Sequence, residues 1–387
     1  MRRIVRFTSP LLLCALTPLL VLLGHSVQCE LTVSSSRIAP LTITAHTGMK
    51  PQSKLWEHDG RWWGCFADSQ GTSIWELDRD QWIRHAIISP ETAVRSDVKT
   101  DGPTVTILLF RPEQSTLVRY VYSGSPVRYR RMGDRIPVTL DPGVETATID
   151  RDGDGLVWIA SESEKQVNVR WLGPSDKKFS SPITLADGIS KDDICVITSF
   201  PDGSVGVLWS NQIKQRYGFR RHAPASEPHS WFPDEVPADA SAIDYGDGMS
   251  DDHLNVAVGS DGTLYATVKT SYDTDGMPLV ACLIRRPRGK WDAFHNIDDE
   301  GSRGIMVLDE SAGECHAIYT SYRDSTIVSR SSATDSIAFG RRKVLMEASR
   351  INNVSVTREN VSGLFPIVAS QGDTLMHTVL LSTGHSR

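Results

Sequence analysis

From residue 40 onward one unit keeps returning: a short strand-like run, a turn carrying Asp-Gly or an equivalent, and a second, strongly apolar run. It appears as SKLWEHDGRWWGCFA from Ser53, SDVKTDGPTVTILLF from Ser96, ETATIDRDGDGLVWIAS from Glu145 and DDICVITSFPDGSVGVLWS from Asp192. It continues as DHLNVAVGSDGTLYATVK from Asp252, RGIMVLDESAGECHAIYT from Arg303 and NNVSVTRENVSGLFPIVAS from Asn352, seven occurrences spaced by 43 to 60 residues. Two more strand-like runs follow most units, such as TSIWELD and QWIRHAIIS. Helical periodicity is nearly absent, and Val, Ile, Thr, Tyr and Trp fill the runs, so the chain is all-β.

Four antiparallel strands per period of this length are the signature of a β-propeller blade. The expected fold is therefore a single propeller over residues 29–387, with seven four-stranded blades, or six as the alternative count. The last unit runs out after DTLMHTVLLS, one strand short. An N-terminal strand, LTVSS or LTITAHT, is positioned to complete it and seal an exposed edge.

The N-terminus carries Arg2, Arg3 and Arg6, then an apolar run from Leu11 to Leu23, then small residues. This is the pattern of a secretory signal peptide, assigned to residues 1–28. The run contains Pro18 and falls short of a membrane-spanning helix, so the mature chain is expected to be secreted, extracellular or periplasmic, with no stable membrane span. Cys65, Cys195, Cys282 and Cys315 sit singly in apolar segments, which signals neither a disulfide framework nor a zinc site. A net charge of −6 and the lack of a basic cluster argue against a nucleic-acid partner. A monomer is expected.

The stretch DRDGDG spaces Asp150, Asp152 and Asp154 as a calcium loop would, with Gly155 after them. Yet Ser161 stands where such a loop places its bidentate Glu, and no helices flank it. Equivalent turns recur in the other units as HDG, TDG, FPDG and GSDG. The reading is a hairpin turn, in which Asp-Gly supplies the positive φ, with calcium as an optional addition and no cofactor required.

In a propeller the first strand of each blade lines the central channel, and the residues that start it converge on one mouth. Those positions hold Lys50, Gln52 and Lys54; Arg95, Asp97 and Lys99; Glu145 and Thr146; Lys191, Asp192 and Asp193; Asp251, Asp252, His253 and Asn255; Arg303; Asn352 and Asn353. This predicts a polar, mixed-charge mouth suited to sugar hydroxyls and acidic sugars. As binding residues it gives Lys54, Asp97, Lys99, Asp192, Arg303 and Asn353. If bonds are cleaved, Asp193 and Asp252 are the acid–base carboxylates, and His253 is the base of an elimination. Trp56 and Trp231 are candidates to stack on sugar rings, while His222 and His229 lie in a Pro-rich loop fit to form a rim.

The turns DGRWW, DGDGLVW and DGTLY resemble degenerate Asp-box (BNR) repeats of sialidase-like propellers, and KPQSKLW resembles the start of uncharacterised secreted bacterial propellers. No repeat matches the Asp-box pattern S-x-D-x-G-x-x-W in register, and RIAP at 37 to 40 only approximates the Arg-Ile-Pro element of sialidases. Of the three arginines the resemblance implies, Arg303 and Arg95 fall at blade starts; the third, the Tyr/Glu pair and the aspartate acid have no match. The expected function is carbohydrate binding, with cleavage by a glycoside hydrolase or polysaccharide lyase. The alternative is a non-catalytic propeller that binds a polysaccharide or a protein partner.

Overall fold

A computed structural model describes residues 30–48, 51–112 and 114–383; residues 1–28, expected to be a signal peptide, and Lys50, expected at the mouth, lie outside them. The chain forms seven antiparallel sheets, one per repeat, in a closed seven-bladed propeller. The channel strands are Leu55–His58, Arg95–Asp101, Ala147–Arg151, Cys195–Ser199, Leu254–Val258, Ser302–Asp309 and Ile351–Ser355, for blades I to VII. Each pairs with the strand that follows it across the expected turn. The period of two sorts their side chains. In blade II, for example, Asp97 bonds across the channel while Val98 enters the apolar layer between blades I and II.

Closure uses both N-terminal segments. Thr32–Val33 pairs with Ser382 and Leu381, and Leu41–Thr42 pairs with Met376 and Leu375, so the two share the outer edge of Leu375–Ser382 in blade VII. Leu31 packs in the same core layer as Phe365 and Ile367. Tying the chain's two ends into one sheet removes the ring's open edge.

Blade IV departs from the four-strand expectation. Only three regular strands form, and the fourth place is taken by the segment around 223–240, which touches its neighbour at Phe219–Glu235 and His222–Trp231. Pro224, Pro228, Pro233 and Pro237 explain this, because each removes a backbone donor that a ladder needs.

Cys65, Cys195, Cys282 and Cys315 are buried free thiols. Among the described residues, no helix is long and apolar enough to cross a membrane.

Candidate functional site

The channel has two mouths: an upstream mouth where the seven inner strands begin, and a turn mouth where they run into the Asp-Gly turns. Between them the channel is filled by the chain itself. Residues 51–53 enter from the upstream side: Gln52 Nε2 donates to Ala147 O of blade III at 2.8 Å, and Asn255 Nδ2 of blade V reaches Pro51 O at 3.5 Å. Ser53 N donates to Asp97 Oδ1 at 2.8 Å, and its hydroxyl donates to Val356 O at 2.5 Å.

Arg358 closes the channel from blade VII. Its Nη2 forms a fork on both oxygens of Asp97, at 2.8 and 2.7 Å, and its Nη1 donates to Ile149 O and approaches Asp150 Oδ2 at 3.5 Å. Asp97 also accepts from Ile149 N at 2.8 Å. Burial opposes every one of these charges. For Asp150 the opposition is outweighed by Lys99, Arg358 and the amides of Arg151 and Ser199, which hold its carboxyl below the ordinary range. Burial likewise works against the Lys99 ammonium, but Asp150 and Glu359 keep its pKa above normal. What remains of the axis is a void of about 20 Å³, enough for a water and too small for a sugar.

At the upstream mouth, Asp251 and Asp252 lie beside Lys269. Its Nζ is 2.8 Å from Asp251 Oδ2 and 3.9 Å from Asp252 Oδ1, and Ser271 Oγ donates to Asp251 Oδ2 at 2.7 Å. His253 Nδ1 rests against Asp252 Oδ1. The ring is only 5% exposed, and Nε2 has no hydrogen-bond partner among the described residues. Donor atoms of Asp251, Asp252 and His253 lie within 4.8 Å of one another. Beneath them the buried Tyr217 hydroxyl donates to Lys269 O and lies 3.3 Å from Asp251 N.

Blades VI and VII add a matched pair. Arg303 (φ 55°) and Asn353 (φ 59°) occupy left-handed backbone, each inside a bulge of identical register at the start of its channel strand. Such a conformation costs of order 1 kcal/mol for a residue with a Cβ, and bulges of this kind re-aim side chains near working sites. Gly304, next to Arg303, sits so close to blade V that a Cβ would meet Thr267 Cγ2 at 2.3 Å. Arg303 Nε and Asn353 Oδ1 are buried without a partner among the described residues. Gly48 crosses over Asn353, where a Cβ would lie 2.8 Å from its carbonyl, and Thr47 Oγ1 donates to Asn353 O at 2.6 Å.

The expected site residues therefore divide. Asp252 and His253 meet at the start of the blade V strand, and Arg303 and Asn353 stand at the starts of the blade VI and VII strands. The Asp193 carboxylate caps a turn, accepting from Ser190 N, Gln212 N and Gln212 Nε2, within electrostatic reach of the Tyr217 hydroxyl beneath Asp251. Asp192 is exposed beside it. Lys54 is enclosed on Ser96 O at 2.8 Å, and burial drops its pKa to about 8. Asp97 belongs to the plug. Lys99 lies at the opposite mouth, its Nζ 3.1 Å from Asp150 Oδ1.

The three aspartates of DRDGDG are not brought together as calcium ligands would be. Asp150 faces the channel, while Asp152 accepts from Asp154 N, Leu156 N and Trp158 Nε1 inside the turn. Asp154 accepts from Ala225 N of the Pro-rich segment. Trp56 is buried and donates to Tyr129 OH at 2.9 Å. Trp231 packs edge-on against Trp158 with its indole N–H on Pro228 O, so neither tryptophan is a free stacking platform.

Two groups escape the sequence reading. Arg358 interrupts the seventh repeat with Arg-Glu-Asn where others carry Asp-Gly, a signal that was visible. Glu162 ends the apolar run LVWIASE, and its Oε1 accepts from Glu145 N and Thr146 N at 2.8 and 2.7 Å. Burial raises its pKa to about 7.

In fold the chain is similar to the polysaccharide lyase Uly1, with a TM-score of 0.52 at 9% identity, over 92% of this chain and 100% of that one. It is also similar to a protein from Lactobacillus plantarum, with a TM-score of 0.54 at 12% identity, over 80% of this chain and 86% of that one. An α-L-arabinanase of Penicillium chrysogenum follows at a TM-score of 0.47 and 9% identity, over 78% and 100%. Identities this low speak for the fold. No protein-family model matches the sequence, and no curated protein matches it either.

Proposed function

We propose that this is an exported, monomeric carbohydrate-active propeller that holds an acidic or polyhydroxylated glycan at the upstream mouth. The observation that carries this reading is the pair of strained bulges, which set a guanidinium and a carboxamide at equivalent places in adjacent blades, with the Asp251–Lys269 pair at the start of the blade before them. Arg303 and Lys269 suit a sugar carboxylate, and Asn353 with Asp252 suits hydroxyls. The polysaccharide lyase of similar fold and the signal-peptide pattern support the substrate class and the location.

Cleavage is the second reading, favoured by the closeness of Asp251, Asp252 and His253. In an elimination, Asp252 takes the proton beside a uronate carboxylate and, once protonated, passes it to the glycosidic oxygen as the C–O bond breaks. Arg303 and Lys269 hold the charge that develops there, and the glycosidic oxygen leaves. Because its ring is enclosed, His253 serves that chemistry by positioning Asp252.

The test is a panel of neutral and uronate-bearing polysaccharides given to the purified mature chain. Retardation in affinity gels reads binding; reducing ends and the ultraviolet absorbance of unsaturated products read cleavage. Arg303→Ala and Asp252→Asn each weaken binding about tenfold or more. Binding untouched by both changes refutes the site. Binding without product leaves the non-catalytic form of the proposal.

A further inference from the structure

The turn mouth opens into a cavity of about 420 Å³ that no part of the preceding reading uses. Its floor is the ion-pair plug, which separates it from the upstream mouth. Its polar wall is Lys99, Ser199 and Glu359; the Pro201 and Val258 side is apolar. Lys99 Nζ points one N–H at Asp150 Oδ1, at 3.1 Å, and lies 3.4 Å from Ser199 Oγ. Glu359 Oε1 stands 3.9 Å from the same nitrogen, too far for a hydrogen bond; it accepts from Thr100 Oγ1 at 2.9 Å, and the side chain is half exposed, with lone pairs left for a ligand.

We propose that this cavity is a second carbohydrate site, one that takes a neutral sugar residue. Two adjacent hydroxyls fit between Lys99 and Glu359, one accepting from the ammonium and the other donating to the carboxylate. Each protein group then gains the bond that their spacing denies them directly. The C–H face of a sugar ring meets the Pro201 and Val258 side.

The charges select against ions. The charged lining is balanced, Asp150 and Glu359 against Lys99 and Arg358, and Arg358 is already committed to the buried Asp97 in a fork. An anion therefore finds each cation already paired with a carboxylate, and a metal ion meets an ammonium held at short range.

The experiment titrates the full mature chain with xylose, galactose and cellobiose to roughly 20 mM, reading protein amide shifts or ligand saturation-transfer signals. At least one sugar binds. Glu359→Ala weakens it about tenfold, and Ser260→Trp, which fills the cavity from its exposed rim, abolishes it. Both variants keep the parent's melting temperature and the polysaccharide retardation assigned to the upstream mouth, while Arg303→Ala does the reverse. No binding by any of the three sugars, or binding indifferent to both cavity variants, overturns the proposal. A failure here leaves the upstream reading standing, because that reading is scored on the other assay.

Discussion

The two mouths are built from the same seven strands, yet they differ in how their polar groups are held. At the upstream mouth, polar groups stand on strained or bulged backbone, at Arg303 and Asn353, and several polar atoms have no partner among the described residues. At the turn mouth the buried charges are locked in pairs, Arg358 with Asp97 and Lys99 with Asp150, and the free space lies outside that network. A channel can therefore be sealed by satisfied ion pairs at one depth while unpaired polar groups and open space remain at its ends. A salt-bridged plug is evidence about passage through the ring and says little about binding at its rims.

The comparison breaks most directly at Arg358. Arg358→Met leaves Asp97 and Asp150 buried without their guanidinium, at a cost of about 3 to 5 kcal/mol, read as a lower denaturation midpoint. A cost below about 1 kcal/mol shows that the network does not hold the plug.

Next is Glu162, below the upstream mouth. Its folded pKa of about 7 lies above the ordinary 4.5, so the folded state binds the extra proton between these values and stability falls as pH rises through that window. The full penalty, present above pH 7, amounts to about 3 kcal/mol. Glu162→Gln keeps an acceptor for the two amides and removes the charge. Chemical denaturation from pH 4 to pH 8 is expected to lose most of this slope in the variant; an unchanged slope assigns it to other groups.

Arg303→Gly sharpens the contrast. It relieves the left-handed strain and raises stability by up to about 1 kcal/mol, while glycan retention at the upstream mouth drops. Stability that falls instead shows that the arginine is there for the fold. The smallest effect is expected at the rim of the turn mouth, where the exposed pair Arg151–Asp101 contributes less than about 1 kcal/mol. Arg151→Ala tests this in the same melt.

Much of the fold was legible because its signals are local. An Asp-Gly turn needs positive φ wherever it occurs, and Gly60, Gly102, Gly155, Gly203 and Gly262 supply it. The apolar second strands repeat at the blade spacing, and the missing strand of blade VII pointed to the N-terminus. Asp252, His253, Arg303 and Asn353 were legible as strand-start residues. Asp193 and Lys54 were picked by the same rule and have other duties, because a strand-start position does not tell whether a side chain faces the mouth or folds back onto a turn or a carbonyl.

The sequence by itself determined the seven repeats, the all-β class and the polar character of the blade starts, since periodicity and turn chemistry act over a few residues. Only the tertiary structure decided that residues 51–53 and Arg358 plug the ring, that Lys99 and Asp150 meet at the turn mouth, and that Arg303 and Asn353 stand at matching bulges. These depend on contacts between residues hundreds of positions apart: 261 for Arg358 with Asp97 and 303 for Ser53 with Val356. Distances of that kind are fixed only when seven separate sheets close into one ring.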